Sequence, residues 1–179
     1  MSEHHFYEPR KGHGRVNLAP YSFFNAFCEA PPIVGFSSGG RKDSQRNVEA
    51  TGEFVCNLVT SKHARAMNLT SAPFPHGVNE FEAAGLAAAP SRLVKPPRVA
   101  DAPAALECRL LLVLPLKDLD GHLTQSTLIL GQVVGVHIDP AFLKGGLFDV
   151  TAARTIARCG YRGDCTEVAH IFEMLRPTL

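Results

Sequence analysis

Pro32-Ile33-Val34-Gly35-Phe36-Ser37-Ser38-Gly39-Gly40-Arg41-Lys42-Asp43-Ser44 is the stretch whose reading sets the fold. It opens as a short apolar run and closes on two glycines, the pattern of a buried strand entering a tight loop. Asp43 then offers an N-cap, residues 44–51 the length of a short helix, and Gly52 a C-terminal stop. The run Phe-Val-Cys-Asn-Leu-Val-Thr at residues 54–60 follows at once and has high β propensity. The local unit is therefore strand, loop, helix, strand. At the start of that helix a lysine ammonium, a serine hydroxyl and unpaired backbone amides gather, and both the amides and the helix dipole favour an anion there. The combination reads as a seat for the phosphate of a cofactor. Taken alone, Lys42-Asp43-Ser44 is also how an ordinary solvated helix begins, so the surrounding sequence has to decide.

Working outward, residues 70–105 change character. Pro73, Pro75, Pro90, Pro96, Pro97 and Pro103 can neither donate to a β ladder nor sit inside a helix. The segment reads as a long surface excursion with one helix around residues 79–84. Residues 106–116 and 124–138 then read as strands flanking a turn at residues 117–122, where Asp120-Gly121 is a strong hairpin signal. Gly131 and Gly135 in the second strand suggest bulges or a close backbone approach, as curved sheets require. A closed or nearly closed barrel is the expected architecture. Residues 168–175 read either as a last strand or as a helix.

The chain has 179 residues, 45% of them hydrophobic and 20% charged, enough for a real core in one domain over residues 1–179. A formal net charge of +1 with no long basic run argues against nucleic acid as a partner. The five cysteines lack the close pairing of a zinc site, and reduced thiols in a cytoplasmic protein fit best. Cys159 and Cys165 are expected to be buried thiols acting as small apolar residues rather than redox partners. His4, His5 and His13 belong to a polar start without partner carboxylates at ligand spacing, so no metal is expected. That start also lacks the apolar stretch of a signal peptide, and the longest apolar runs are too short or interrupted for a membrane helix. No membrane association is expected.

With these residues in view, the chain resembles the flavin reductase-like, FMN-binding split-barrel family, the group that includes flavoredoxin-type proteins. The matching stretches are Asn17-Leu18-Ala19-Pro20-Tyr21-Ser22-Phe23-Phe24-Asn25, Pro31-Pro32-Ile33-Val34, Lys42-Asp43-Ser44 with Asn47, and Gly52-Glu53-Phe54-Val55-Cys56-Asn57. Val94-Lys95-Pro96-Pro97-Arg98-Val99, Leu106-Glu107-Cys108, Gly131-Gln132-Val133-Val134-Gly135-Val136-His137, and Arg158 with Tyr161 and Met174-Leu175-Arg176-Pro177 complete the set in order. The resemblance implies a mainly β fold with short helices, a split β-barrel that binds FMN. In relatives, a strand with a Pro-Arg-Pro motif lies between an opening like residues 5–14 and the Asn-Leu-Ala-Pro segment, whereas here Gly14 runs straight into Arg15. Either the chain lacks that first strand or the sequence skips it.

The resemblance further implies that Asn17, Ala19, Pro20, Tyr21, Ser22 and Asn25 line the flavin ring and ribityl chain. It places Ser37, Lys42, Asp43, Ser44 and Asn47 around the FMN phosphate. Homodimers with the flavin near the subunit interface are implied by it as well. Phe23, Phe24 and Phe27 read as barrel core or dimer contact, since large aromatics are usually packing residues. His137 in an apolar strand is more commonly a histidine satisfied by a neighbour, yet its family block points it toward substrate or flavin. Arg158 and Tyr161 either approach the cofactor or close the barrel.

The function so implied is an FMN-dependent oxidoreductase, an NAD(P)H-linked flavin reductase that passes a hydride from NADH or NADPH through FMN to a free flavin or a redox protein. The isoalloxazine carries the chemistry, so no catalytic residue of the chain need be singled out. An FMN-binding electron carrier without reductase turnover is the alternative, and a structural barrel that has lost its cofactor is a third reading.

Overall fold

The computed structural model describes residues 16–178, so the Gly14–Arg15 junction and the histidines of the opening lie outside the described residues. Eleven strands and three α-helices follow one another in this part of the chain. The first half holds β1 (Phe24–Cys28), β2 (Ile33–Gly39), α1 (Asp43–Thr51), β3 (Glu53–Asn57), α2 (Ala64–Leu69), α3 (Glu80–Ala83), β4 (Ala88–Ala89) and β5 (Arg98–Val99). The second holds β6 (Ala104–Lys117), β7 (Leu123–Ile138), β8 (Leu143–Lys144), β9 (Leu147–Phe148), β10 (Ile156–Arg158) and β11 (Cys165–Glu167).

The strand–loop–helix–strand unit forms as its sequence predicts. Gly52 takes φ 70° and closes α1 by donating its N–H to Val48 O at 2.8 Å, a conformation that glycine adopts without strain. The N-cap differs from the expected one. Lys42 holds that position, without a side-chain capping bond, and Asp43 is the first helical residue. The Asp43 carboxylate turns outward to Arg46 at 3.1 Å and to His76 at 2.8 Å, so two side-chain partners outcompete the local cap. The strand expected over residues 54–60 ends at Asn57, whose side-chain oxygen accepts the Val99 N–H at 2.8 Å.

Five strands make the main sheet, in the order β1-β2-β7-β6-β3, and every pair is antiparallel. It does not close into a barrel. Among the described residues β1 and β3 are its outer strands, each paired on one side, so of the closed or nearly closed barrel expected the closed form is not reached. Curvature comes from irregular pairing between β6 and β7. Glu107 faces Gly135 while Cys108 faces Val133, so Val134 is an extra residue on β7, and Leu111 is likewise extra on β6. Gly131 answers a close approach, because a Cβ there would lie 2.5 Å from the Phe54 ring. Pro115 is tolerated because β3 pairs with β6 only at residues 105–109, leaving the far half of β6 open on that side.

Val34, Phe36, Val48, Phe54, Cys108 and Ile129 form the core between α1 and the sheet. Each large side chain there contributes about 1.5–3 kcal/mol by leaving water. A second cluster of Phe81, Val99 and Ala102 packs against Val16 and Leu18, fastening the proline-rich excursion to the segment before β1. The helix expected near residues 79–84 is α3, with Asn79 as N-cap accepting the Phe81 N–H.

Several expectations are corrected. Residues 168–178 form neither strand nor helix: Val168 donates its N–H to Thr155 O at 2.8 Å just past β11, and Phe172 stands 85% exposed. Cys159 and Cys165 are exposed rather than buried, on the two-stranded β10–β11 ribbon that stands off the core. The shielded thiols are instead the half-buried Cys56 on β3 and the buried Cys108 on β6, where contact with Cys108 and then burial push Cys56 well above its usual value. Phe23, Phe24 and Phe27 are exposed on the β1 edge, not part of the core of this chain.

Candidate functional site

The end of β2 and the start of α1 meet at a loop in which Gly40 takes φ 79° and donates to Gln125 O at 2.7 Å. Lys42 leads into α1, and its own side chain makes no capping hydrogen bond. The amides of residues 43–45 therefore open onto the corner without intrahelical partners. The Lys42 ammonium is exposed and has no ion-pair partner among the described residues. The Asp43 carboxylate would repel an anion if bare. It is matched by Arg46 and His76, and although burial works against it, the His76 and Arg46 bonds hold it below the usual carboxylate range. An ionised Asp43 paired in this way leaves Lys42 and the helix dipole as the net attraction for a negative group.

The segment before β1 is drawn onto the same corner. The Asn17 side-chain amide and the Ser44 hydroxyl lie 2.7 Å apart. Leu18 N–H donates to the buried Glu80 carboxylate at 3.0 Å, so α3 pins the segment from behind. Ser37 N–H donates to Phe23 O at 2.9 Å, which ties the far end of the segment to β2. Tyr21 lies between these anchors with its ring 4.5 Å from that of Phe36, and its buried hydroxyl has no hydrogen-bond partner among the described residues. An unpaired buried hydroxyl is costly, and a polar ligand edge would satisfy it. Pro20 contributes no N–H, and Ala19 beside it is small and half-buried. Ser22 and Asn25 are exposed, with Asn25 opposite Gly35 on the β1 edge. Asn47 is half-buried in α1, and its carbonyl takes the Thr51 hydroxyl at 2.7 Å.

Lys42, Asp43, Ser44 and Asn17 thus meet at one corner, while Ser37 is tied to the segment before β1 through its backbone and Tyr21 packs on Phe36. The orphaned Tyr21 hydroxyl, the open amides and the unpaired ammonium suit a mononucleotide with one anionic and one heteroaromatic end. His76, from the excursion, is the neighbour that sequence reasoning missed. No local signal marks it, because it reaches Asp43 from 33 residues away.

His137, Arg158 and Tyr161 are not brought to this corner. Leu128 pairs with Ser37, and His137 lies nine residues further along β7, about 30 Å at strand rise. Its Nε2 bonds instead to Glu107, a wholly buried carboxylate. Arg158 and Tyr161 are exposed on the β10–β11 ribbon, which Thr155 joins to Thr60. A cavity of about 350 Å3 adjoins His137, lined also by Arg92, Arg98 and Asp139. A second depression of about 590 Å3 holds the buried His63, bonded through Nδ1 to Thr60 at 3.0 Å and with Nε2 lying 3.1 Å from Asp101, out of line for a hydrogen bond.

The open five-stranded sheet with α1 packed on one face is a split-barrel arrangement. The chain belongs to the flavin reductase-like family, whose model, the flavin reductase like domain, matches residues 9–155. A protein of Deinococcus radiodurans is 39% identical over 170 residues, covering 90% of this chain and 72% of its own length. Among solved structures, nitrilotriacetate monooxygenase component B from Bacillus cereus superposes with a TM-score of 0.82 at 30% identity, over 90% of this chain and 81% of that one. The flavoredoxin of Desulfovibrio vulgaris (Miyazaki F) superposes with a TM-score of 0.77 at 18% identity, over 88% of this chain and 81% of that one, a likeness of fold. The split-barrel fold and a flavin-related oxidoreductase class follow. Among the described residues no helix is long and apolar enough to cross a membrane.

Proposed function

We propose that the chain is an FMN-dependent oxidoreductase that takes electrons from NADH or NADPH and passes them to a free flavin or a redox protein. The observation that carries this is the start of α1, where open amides, the unpaired Lys42 ammonium and the Ser44 hydroxyl converge beside Asn17. Ser37, Lys42, Asp43, Ser44 and Asn47 would hold the phosphate, Asp43 through its backbone, since its carboxylate is already paired. Asn17, Ala19, Pro20, Tyr21, Ser22 and Asn25 would line the ring and the ribityl chain. Bound FMN would supply the redox chemistry. The protein then has only to hold the ring in reach of the nicotinamide and shape its electronics through hydrogen bonds.

The active form is a homodimer in this reading. Phe23, Phe24 and Phe27 stand exposed on an edge strand, and exposed aromatics on an unpaired edge are what a second copy would cover. A second copy is also what could bring His137, Arg158 or Tyr161 to a flavin, since one chain does not. The absorbance spectrum of the purified protein tests the reading. A flavin spectrum with FMN recovered on denaturation supports it, and colourless protein with no affinity for added FMN contradicts it.

A further inference from the structure

The cavity beside His137 is built around one buried charge. Glu107 is 0% exposed, and its carboxylate accepts the N–H groups of Arg92 at 2.7 Å, Leu93 at 2.6 Å and Val94 at 3.2 Å, together with His137 Nε2. A buried carboxylate is tolerated only with such a set of donors. The consequence is mechanical, because the loop carrying Arg92 and the ring of His137 are locked to the same anchor on β6. Both line the cavity, and Arg98 forms a third side.

These walls offer unspent donors. The Arg98 guanidinium gives Nη1 to Ala100 O at 3.0 Å, while its buried Nε has no partner among the described residues. The Arg92 guanidinium has no hydrogen bond or ion pair among the described residues. With Nε2 engaged by Glu107, Nδ1 is the remaining polar atom of His137. One acidic side chain, Asp139, also lines the cavity, but its Oδ1 is occupied by the Ala141 N–H at 2.9 Å at the head of a short 3-10 turn. His137 is matched by Glu107, so two arginines face one capped aspartate. Guanidinium forks bind planar and tetrahedral oxyanions through paired hydrogen bonds. The volume of about 350 Å3 suits one small molecule.

We infer that the cavity walled by Arg92, Arg98 and His137 is a binding site for the oxyanion of a small ligand, a carboxylate or a phosphate group. It is separate from the start of α1 and stands whether or not FMN binds there. Calorimetric titration of the full chain with benzoate and, separately, with pyrophosphate is the test. At least one of the two should bind saturably, about tenfold more weakly in R92Q and in R98K, which keeps the charge but loses the fork. Binding should persist in K42A. Saturable benzoate binding identifies a carboxylate ligand, and saturable pyrophosphate binding a phosphate-bearing one. The Arg92 side chain has no hydrogen bond or ion pair to lose among the described residues, so R92Q should retain its fold and is the deciding variant. Failure of both anions to saturate, unchanged binding in R92Q, or loss of binding in K42A would overturn the assignment.

Discussion

The carboxylate of Glu107 and the imidazole of His137 are bonded diagonally across β6 and β7, although the register partner of His137 is Ala105. Burial raises the affinity of Glu107 for a proton, but the N–H of Arg92, the ring of His137 and the N–H of Leu93 outweigh it and hold the group below the usual carboxylate range. A folded value below the unfolded one contributes stability above about pH 4.3, lost as the pH falls through the folded value. Glu107→Gln puts an amide among donors and should cost about 3–5 kcal/mol. Urea denaturation from neutral pH down to about pH 3 should show a shallower acid decline in the variant than in the wild type. Parallel declines would mean that Glu107 does not set the acid limb.

Lys42→Ala removes the unpaired cation at the start of α1. A charge-assisted contact of about 1.5–3 kcal/mol is lost, so FMN should bind roughly tenfold to a hundredfold more weakly in fluorescence titration. Equal affinity would place the phosphate elsewhere.

Gly131→Ala would drive a methyl group into Phe54, whose ring carbons lie 2.5 Å from the ideal Cβ position. Overpacking of this kind costs about 1–3 kcal/mol, and the urea midpoint should fall with an unchanged slope. An undiminished midpoint would show that the Phe54 ring has room to yield.

Phe23 is 78% exposed, so Phe23→Asp costs little inside one chain. If β1 is a dimer edge, light scattering should give twice the chain mass of 19.4 kDa for the wild type and the single mass for the variant. A wild type of single mass would remove the dimer from the account.

What the sequence made legible was local. The run into Gly39-Gly40, the helix closed by Gly52 and the Asp120-Gly121 hairpin rest on signals within a few residues, and each formed as expected. What it hid was set by distant partners. Asp43 reads as a cap until His76 and Arg46 claim it. His137 reads as a histidine satisfied by a neighbour, but which neighbour is hidden, because Glu107 lies 30 residues earlier. The cue was present in Leu106-Glu107-Cys108, since a carboxylate in the middle of an apolar strand needs donors to hold it. Closure of the sheet and the path of residues 168–175 depend on which strand edges meet, which residue patterns do not state. The corner at α1 was the most legible part of the site, because its residues are adjacent in the chain or belong to one motif.

Anaerobic mixing of the FMN-loaded protein with NADH and with NADPH tests the central claim most directly. The account predicts rapid bleaching of the bound flavin by one of the two. A flavin that stays oxidised with both would contradict the reductase and leave a carrier.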